Sequence, residues 1–229
     1  MQRVRVKIEG LRDPRVALRV AQMGADAVGL VFRAGSPRWV SPEQARAVTD
    51  ILPPWVATVG VFVDADAVTI NRVAERTRIG YVQLHGDEPP EIVAEVTRPC
   101  IKAFGVRNAA WVEEVRSWLA GVTAPSNLAA VLLDAYAPVE RGGTGRPFNW
   151  RLVADARAAG AMAGMEPIIL AGGLDSSNVG PAIDLVAPWA VDVASGVESA
   201  PGVKDLRKVE SFLRAAGKGD ELRTEFWQP

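Results

Sequence analysis

The sequence predicts an α/β protein in which eight parallel strands close into a single (β/α)8 TIM barrel covering residues 1–229. Three observations carry that expectation. Short apolar or β-branched runs recur eight times, segments with helical spacing and start signals lie between them, and 229 residues accommodate eight strand–helix units. Parallel neighbours need a crossover connection, usually a helix, so sustained alternation argues for a parallel sheet. Eight units suit a closed barrel better than an open doubly wound sheet of about six strands.

The strands read RVRVKI at 3–8, AVGLVF at 27–32, ATVGVFV at 57–63, YVQLH at 81–85, CIKAF at 100–104, AAVLLD at 129–134, PIILAG at 167–172 and AVDVAS at 190–195. In the first, the period of two puts Arg5, Lys7 and Glu9 on one face and Val4, Val6 and Ile8 on the other. The apolar face meets helices. The charged face points into the barrel, where unpaired ions are costly, so Lys7 and Glu9 need partners, a ligand or each other. Asp13-Pro14 before RVALRVAQMGA and Ser41-Pro42 before EQARAVTDIL are helix starts, each a capping oxygen followed by a proline whose missing N–H costs nothing in a first turn. The acidic opening of DEPPEIVAEV from Asp87 predicts another helix. No Gly-x-Gly-x-x-Gly follows the first strand, which removes the main signal for a dinucleotide site. The tail at 218–229 is polar enough to fray.

Composition works by exclusion. Apolar residues at 48% and charged residues at 23% suit a soluble globular chain with a sizeable core. With 26 Lys and Arg against 27 Asp and Glu, the net charge of -1 offers no broad cationic field for nucleic acid or anionic lipid, so an acidic ligand must be held locally. Cys100 and His85 are the sole cysteine and histidine, which excludes a disulfide framework, multi-thiolate and multi-imidazole metal sites, and any nucleophilic triad not centred on His85. No apolar run approaches a membrane span and the first residues are charged, so a cytoplasmic location is expected.

Barrels of this kind carry their reactive groups at the carboxyl ends of strands and in the loops that follow. The seventh and eighth ends, IILAGG and VDVASG, run from apolar residues into glycine, where backbone amides can approach an anion closely. Gly172, Gly173, Ser195 and Gly196 are therefore a candidate phosphate cradle; the alternative is that the glycines merely turn the chain. Asp134 ends the sixth strand before VERGGTGRPFNW, so its carboxyl can exchange a proton with a ligand over which Gly142, Gly143 and Gly145 let the loop close. A helix cap or an ion pair is the other reading of Asp134. Arg38, placed by the Ser36-Pro37 turn, suits a planar carboxylate or is simply solvated. His85 is either a ligand contact or a buried ring satisfied by backbone, and Cys100 reads as a small core residue rather than a nucleophile.

Together the motifs KIEGL, GADAVGLVF, SPRWVSPEQA, VGVFVD, VQLHGDE, IKAF, LLDAY, GGTGRPFNW, ILAGGL and DVASGVESAPGVKD resemble phosphoribosylanthranilate isomerase, nearly end to end. The resemblance implies an Amadori rearrangement in tryptophan biosynthesis, converting N-(5-phosphoribosyl)anthranilate to 1-(2-carboxyphenylamino)-1-deoxyribulose 5-phosphate without metal or organic cofactor. It makes Asp134 the general acid and gives Arg38 the anthranilate carboxylate. Gly173, Ser195 and Gly196 then help hold the sugar phosphate; beside what the resemblance implies, Gly172 is expected in the same cradle, and His85, Gly143 and Gly145 as further substrate contacts. The implied partner is a phosphorylated aminosugar with an anthranilate moiety, with no nucleic acid and no membrane, bound by a monomer or homodimer. One residue departs from the pattern. The family's Lys-Ile-Cys-Gly, whose cysteine is the general base, reads Lys7-Ile8-Glu9-Gly10 here, so Glu9 occupies the base position. Glutamate reaches roughly 2.5 Å further and has a reference pKa of about 4.3 against about 8.5. An isomerase using Glu9, a paralogue with another phosphorylated or aryl-amine substrate, and a binding form without turnover are all compatible with that exchange.

Overall fold

The computed structural model describes residues 4–123, 126–135 and 148–218. Its strands are β1 (Arg5–Glu9), β2 (Ala27–Val31), β3 (Ala57–Phe62), β4 (Tyr81–Leu84), β5 (Cys100–Val106), β6 (Leu128–Ala135), β7 (Ile168–Leu170) and β8 (Ala190–Val193). Each pairs in parallel with the next, and β8 returns to β1 to close the barrel. The closing register sets Lys7 beside Ala27 on one side and Asp192 on the other. Between and after the strands come α1 (Pro14–Gln22), α2 (Pro42–Ile51), α3 (Ala67–Thr77), α4 (Ile92–Glu95), α5 (Trp111–Ala120), α6 (Arg151–Ala158), α7 (Val179–Val186) and α8 (Leu206–Leu213).

The two expected starts form as local chemistry dictates. Asp13 accepts from the Arg15 and Val16 amides, and Ser41 and Gln44 make a reciprocal capping box, satisfying donors that the first turn cannot bond internally. Val6 and Ile8 of β1 are fully buried in the layer shared with the helices, each contributing about 1.5–3 kcal/mol by leaving water. A second apolar cluster that includes Val59, Ile101, Ala130, Leu132, Ile169 and Ala190 fills the barrel interior. Lys7, Gln83, Asp134 and Asp192 are buried on the same strands that line that interior.

Two elements differ from expectation. The helix foreseen from Asp87 shrinks to the single turn of α4, because Pro89 and Pro90 supply no N–H and Glu88 turns inward instead of capping. Its carboxylate accepts from the Asp64 and Gly86 amides and from Lys102 Nζ at 2.8 Å. An antiparallel hairpin of β9 (Glu198–Ala200) and β10 (Val203–Lys204) follows β8, and no periodicity announced it. Gly202 at its tip has φ +78 and presses on the Pro37 carbonyl, where a Cβ would stand 2.2 Å away. That contact brings the hairpin against the turn carrying Arg38.

Candidate active site

The carboxyl ends of the strands open into a cavity of about 730 Å³ whose walls include Glu9, Arg38, His85, Asp134, Gly172, Gly173, Asp192, Ser195 and Glu198. The residues singled out from the first, sixth, seventh and eighth strand ends thus share one mouth. Gly196 is not on the wall. Its missing side chain admits the Leu174 carbonyl, which a Cβ would approach to 2.0 Å, so it joins the two last strand loops. Gly142, Gly143 and Gly145 lie outside the described residues.

At the bottom of the cavity Lys7 Nζ donates to Glu9 Oε2 and to Asp192 Oδ2, both at 2.8 Å. The Lys7–Glu9 pair is therefore present, with a third member from β8. Burial works against a charged Lys7, yet Asp192 and Glu9 outweigh it and hold its pKa above the ordinary value. Burial also pushes Glu9 up, but Lys7, helped by His85 and Lys204, brings it down to about 2. Asp192 keeps its burial penalty, reinforced by Glu9 and Asp134 against the pull of Lys7, and stands at about 7. Gly29, the register partner of Glu9 on β2, makes room for the long side chain: a Cβ there would lie 3.0 Å from Glu9 Cα and Cγ.

Above this trio, Gln83 Nε2 lies 3.3 Å from Glu9 Oε2 and 2.8 Å from His85 Nδ1, and His85 Nε2 lies 3.2 Å from Asp134 Oδ2. With the amide so oriented, Nδ1 accepts, and Nε2 carries the proton and donates to Asp134. A continuous hydrogen-bonded path joins Glu9 to Asp134. The expectation of a ring satisfied by backbone is corrected: two side chains hold it, because its strand neighbour two residues back and the end of β6 converge inside the barrel. Burial lowers the His85 pKa, but the bond and charge of Asp134 raise it overall. Asp134 Oδ1 in turn accepts from the Ala135 amide at 2.7 Å. Gly172, at φ +82, packs where a Cβ would stand 2.5 Å from that amide nitrogen.

At the rim, Arg38 donates through Nε and Nη2 to both oxygens of Glu198, each at 2.8 Å, and Lys204 adds a bond of 2.7 Å to the same carboxylate. Burial raises the Glu198 pKa, and Arg38 and Lys204 more than reverse it. Arg38 is thus not a solvated loop arginine. One edge of its fork is engaged by Glu198, and the residue lines the cavity. Gly10, at φ +79, lets the Arg38 methylenes cross the end of β1, since a Cβ would meet Cδ at 2.6 Å. Cys100 is a buried free thiol whose pKa burial pushes up to about 12, which suits a core residue. Lys102 bonds Glu88 and the Gly86 carbonyl and takes no part in the cavity wall.

Sequence reasoning missed Gln83, Asp192, Glu198 and Lys204. Two left a trace: Gln83 shares a strand face with His85, and Asp192 is a charge inside an apolar strand.

The family model described as N-(5'phosphoribosyl)anthranilate (PRA) isomerase matches residues 6–215. The chain belongs to the phosphoribosylanthranilate isomerase family. An isomerase of that name from Geobacter metallireducens is 48% identical over 213 residues, 93% of this chain and 98% of its own length. The crystal structure of the Thermotoga maritima phosphoribosylanthranilate isomerase superposes with a TM-score of 0.82 at 39% identity, covering 93% of this chain and 98% of that one. Another structure of the enzyme, in complex with reduced 1-(o-carboxyphenylamino)-1-deoxyribulose 5-phosphate, gives 0.79 at 38% identity over the same shares. Within the phosphoribosylanthranilate isomerase family, then, this chain places a glutamate, already bonded to a lysine, at the first strand's end.

Proposed function

We propose that this protein is a phosphoribosylanthranilate isomerase of tryptophan biosynthesis, converting N-(5-phosphoribosyl)anthranilate to 1-(2-carboxyphenylamino)-1-deoxyribulose 5-phosphate. The observation that carries the reading is a cavity, in a chain of this family, whose wall holds Glu9 from the first strand and Asp134 from the sixth beside an anchored guanidinium and two glycine-ended loops. Asp134 gives a proton to the ribose ring oxygen as the C1′–O bond breaks, leaving an iminium at C1′. Glu9 then takes the C2′ proton. The C–H electron pair forms the C1′–C2′ double bond, the iminium electrons return to nitrogen, and the resulting enolamine tautomerises to the ketose. No electrons leave the substrate; one proton leaves Asp134 and one reaches Glu9.

His85 Nε2 keeps its proton and donates to Asp134 Oδ2, so the acidic proton of Asp134 is left to point at the ligand and the carboxylate that forms is stabilised by the ring. The outer edge of Arg38 receives the anthranilate carboxylate, and the amides about Gly172, Gly173 and Ser195 receive the phosphate. The compartment proposed is the cytoplasm, in keeping with a lone reduced cysteine; among the described residues no helix is long and apolar enough to cross a membrane.

The Lys7–Glu9 bond favours a second reading, a pocket that binds without turnover, because a carboxylate held near 2 is a feeble base. A coupled assay on freshly made phosphoribosylanthranilate decides: turnover at ordinary enzyme rates supports the isomerase. Binding of the reduced product analogue with no turnover supports the second reading.

A further inference from the structure

We propose that Asp192 is a positioning residue for the base: by competing with Glu9 for the single ammonium of Lys7, it sets how strongly Glu9 can take a proton. The inference rests on the isomerase reading above. Its basis is two carboxylates sharing one ammonium at the bottom of the cavity. Glu9 Oε2 and Asp192 Oδ2 both lie 2.8 Å from Lys7 Nζ, with Lys7 4% and Asp192 6% exposed. The other oxygen of Asp192, Oδ1, is buried and has no hydrogen-bond partner among the described residues. A buried carboxylate with one oxygen unsatisfied is costly to ionise, so it takes up a proton at higher pH than one fully bonded. Asp192 is therefore the member of the trio whose protonation changes near working pH, in line with its pKa of about 7.

When Asp192 is ionised, the charge of Lys7 is divided between two anions, and Glu9 is a stronger base than it would be against Lys7 alone. When Asp192 is protonated, Lys7 acts on Glu9 alone and Glu9 holds a proton poorly. The charged and titratable groups facing the pair are Lys7 on β1, His85 on β4, Asp134 on β6 and Lys204 on β10, and none of them bonds Asp192 except Lys7. Because one oxygen of Asp192 is buried and the other bonds Lys7, the residue acts through Lys7. Without Asp192, Lys7 alone would pull the glutamate further toward its ionised form.

The test compares the pH dependence of kcat in the parent and in Asp192→Asn, which keeps the shape and an acceptor but removes the charge. The parent should lose activity on its acid side with a midpoint near neutrality, assigned to the coupled pair rather than to one residue. In the variant kcat should fall about tenfold or more, KM should stay within about threefold, and the acid limb should move down by more than about one pH unit. An unchanged limb and an unchanged kcat overturn the proposal, since a merely structural Asp192 would not move the limb. Carbon-13 NMR of the parent labelled in its carboxyl groups supplies a second test that needs no variant to be active. The signals of Glu9, assigned by their loss in Glu9→Gln, and of Asp192 should titrate together in two shared steps; independent single steps overturn the proposal. A parent that titrates in shared steps but never turns over phosphoribosylanthranilate sinks the isomerase reading and leaves the coupling standing.

Discussion

The guanidinium of Arg38 and the carboxylate of Glu198 are held together by two bonds of 2.8 Å, Nε to Oε1 and Nη2 to Oε2, across 160 residues of chain. Glu198 thereby fixes the plane and direction of the fork that a ligand carboxylate would meet. Replacing Arg38 by Ala should raise KM about tenfold or more with a smaller change in kcat, because a clamp on a carboxylate acts on ground and transition states alike. Glu198→Gln keeps the shape but loosens the anchor, and KM should rise a few-fold. Steady-state kinetics on both variants check this; an unchanged KM in Arg38→Ala removes the guanidinium from substrate binding.

Asp134→Asn keeps the side-chain shape and a hydrogen bond to His85 but takes away the transferable proton. Turnover should fall by about 10² or more while the reduced product analogue still binds. Calorimetric binding beside single-turnover rates separates the two effects. A variant within a few-fold of the parent rate would exclude Asp134 as the acid.

His85 offers a stability test with a definite sign. Its pKa is raised in the folded protein, chiefly by Asp134 acting against burial, so the pair contributes fully below the unfolded value of about 6.5 and is lost as pH rises through the folded value. The destabilisation caused by His85→Asn should therefore be larger near about pH 6 than near about pH 9. Urea midpoints at the two pH values measure it, and a cost that grows with pH would contradict the pairing.

Two glycines with nearly the same backbone separate strain from crowding. Gly35, at φ +81, has nothing within 4 Å of a Cβ, whereas Gly172, at φ +82, would drive one to 2.5 Å from the Ala135 nitrogen. Gly35→Ala should cost only the left-handed conformation, about 1 kcal/mol. Gly172→Ala should cost about 2 kcal/mol more and lower activity, because what it pushes on is the backbone holding Asp134. Denaturant unfolding of both variants tests the difference, and equal costs would show that the end of β6 yields freely.

What the sequence determined by itself was everything that depends on neighbours within a few residues. Strand faces follow from a period of two, so Lys7 and Glu9 could be assigned to the barrel interior and Val6 and Ile8 to the helix layer before any coordinates. The helix starts at Asp13 and Ser41 are satisfied by side chains within three positions, and the glycines after the seventh and eighth strands mark close backbone approach, although what they approach, Ala135 and Leu174, is fixed only by the fold. The misread helix at Asp87 shows the limit: Glu88 had a better partner in Lys102, on the next strand, than in its own first turn. The chemistry of the site belongs to the tertiary structure. Lys7 meets Asp192 across 185 residues, Arg38 meets Glu198 across 160, and His85 meets Asp134 across 49. Which side chains share a layer is set by barrel closure and register, and no local pattern encodes it. A charge in the low-dielectric interior takes its pKa from whatever stands a few ångströms away, so the basicity of Glu9 became definable only once β8 had closed against β1.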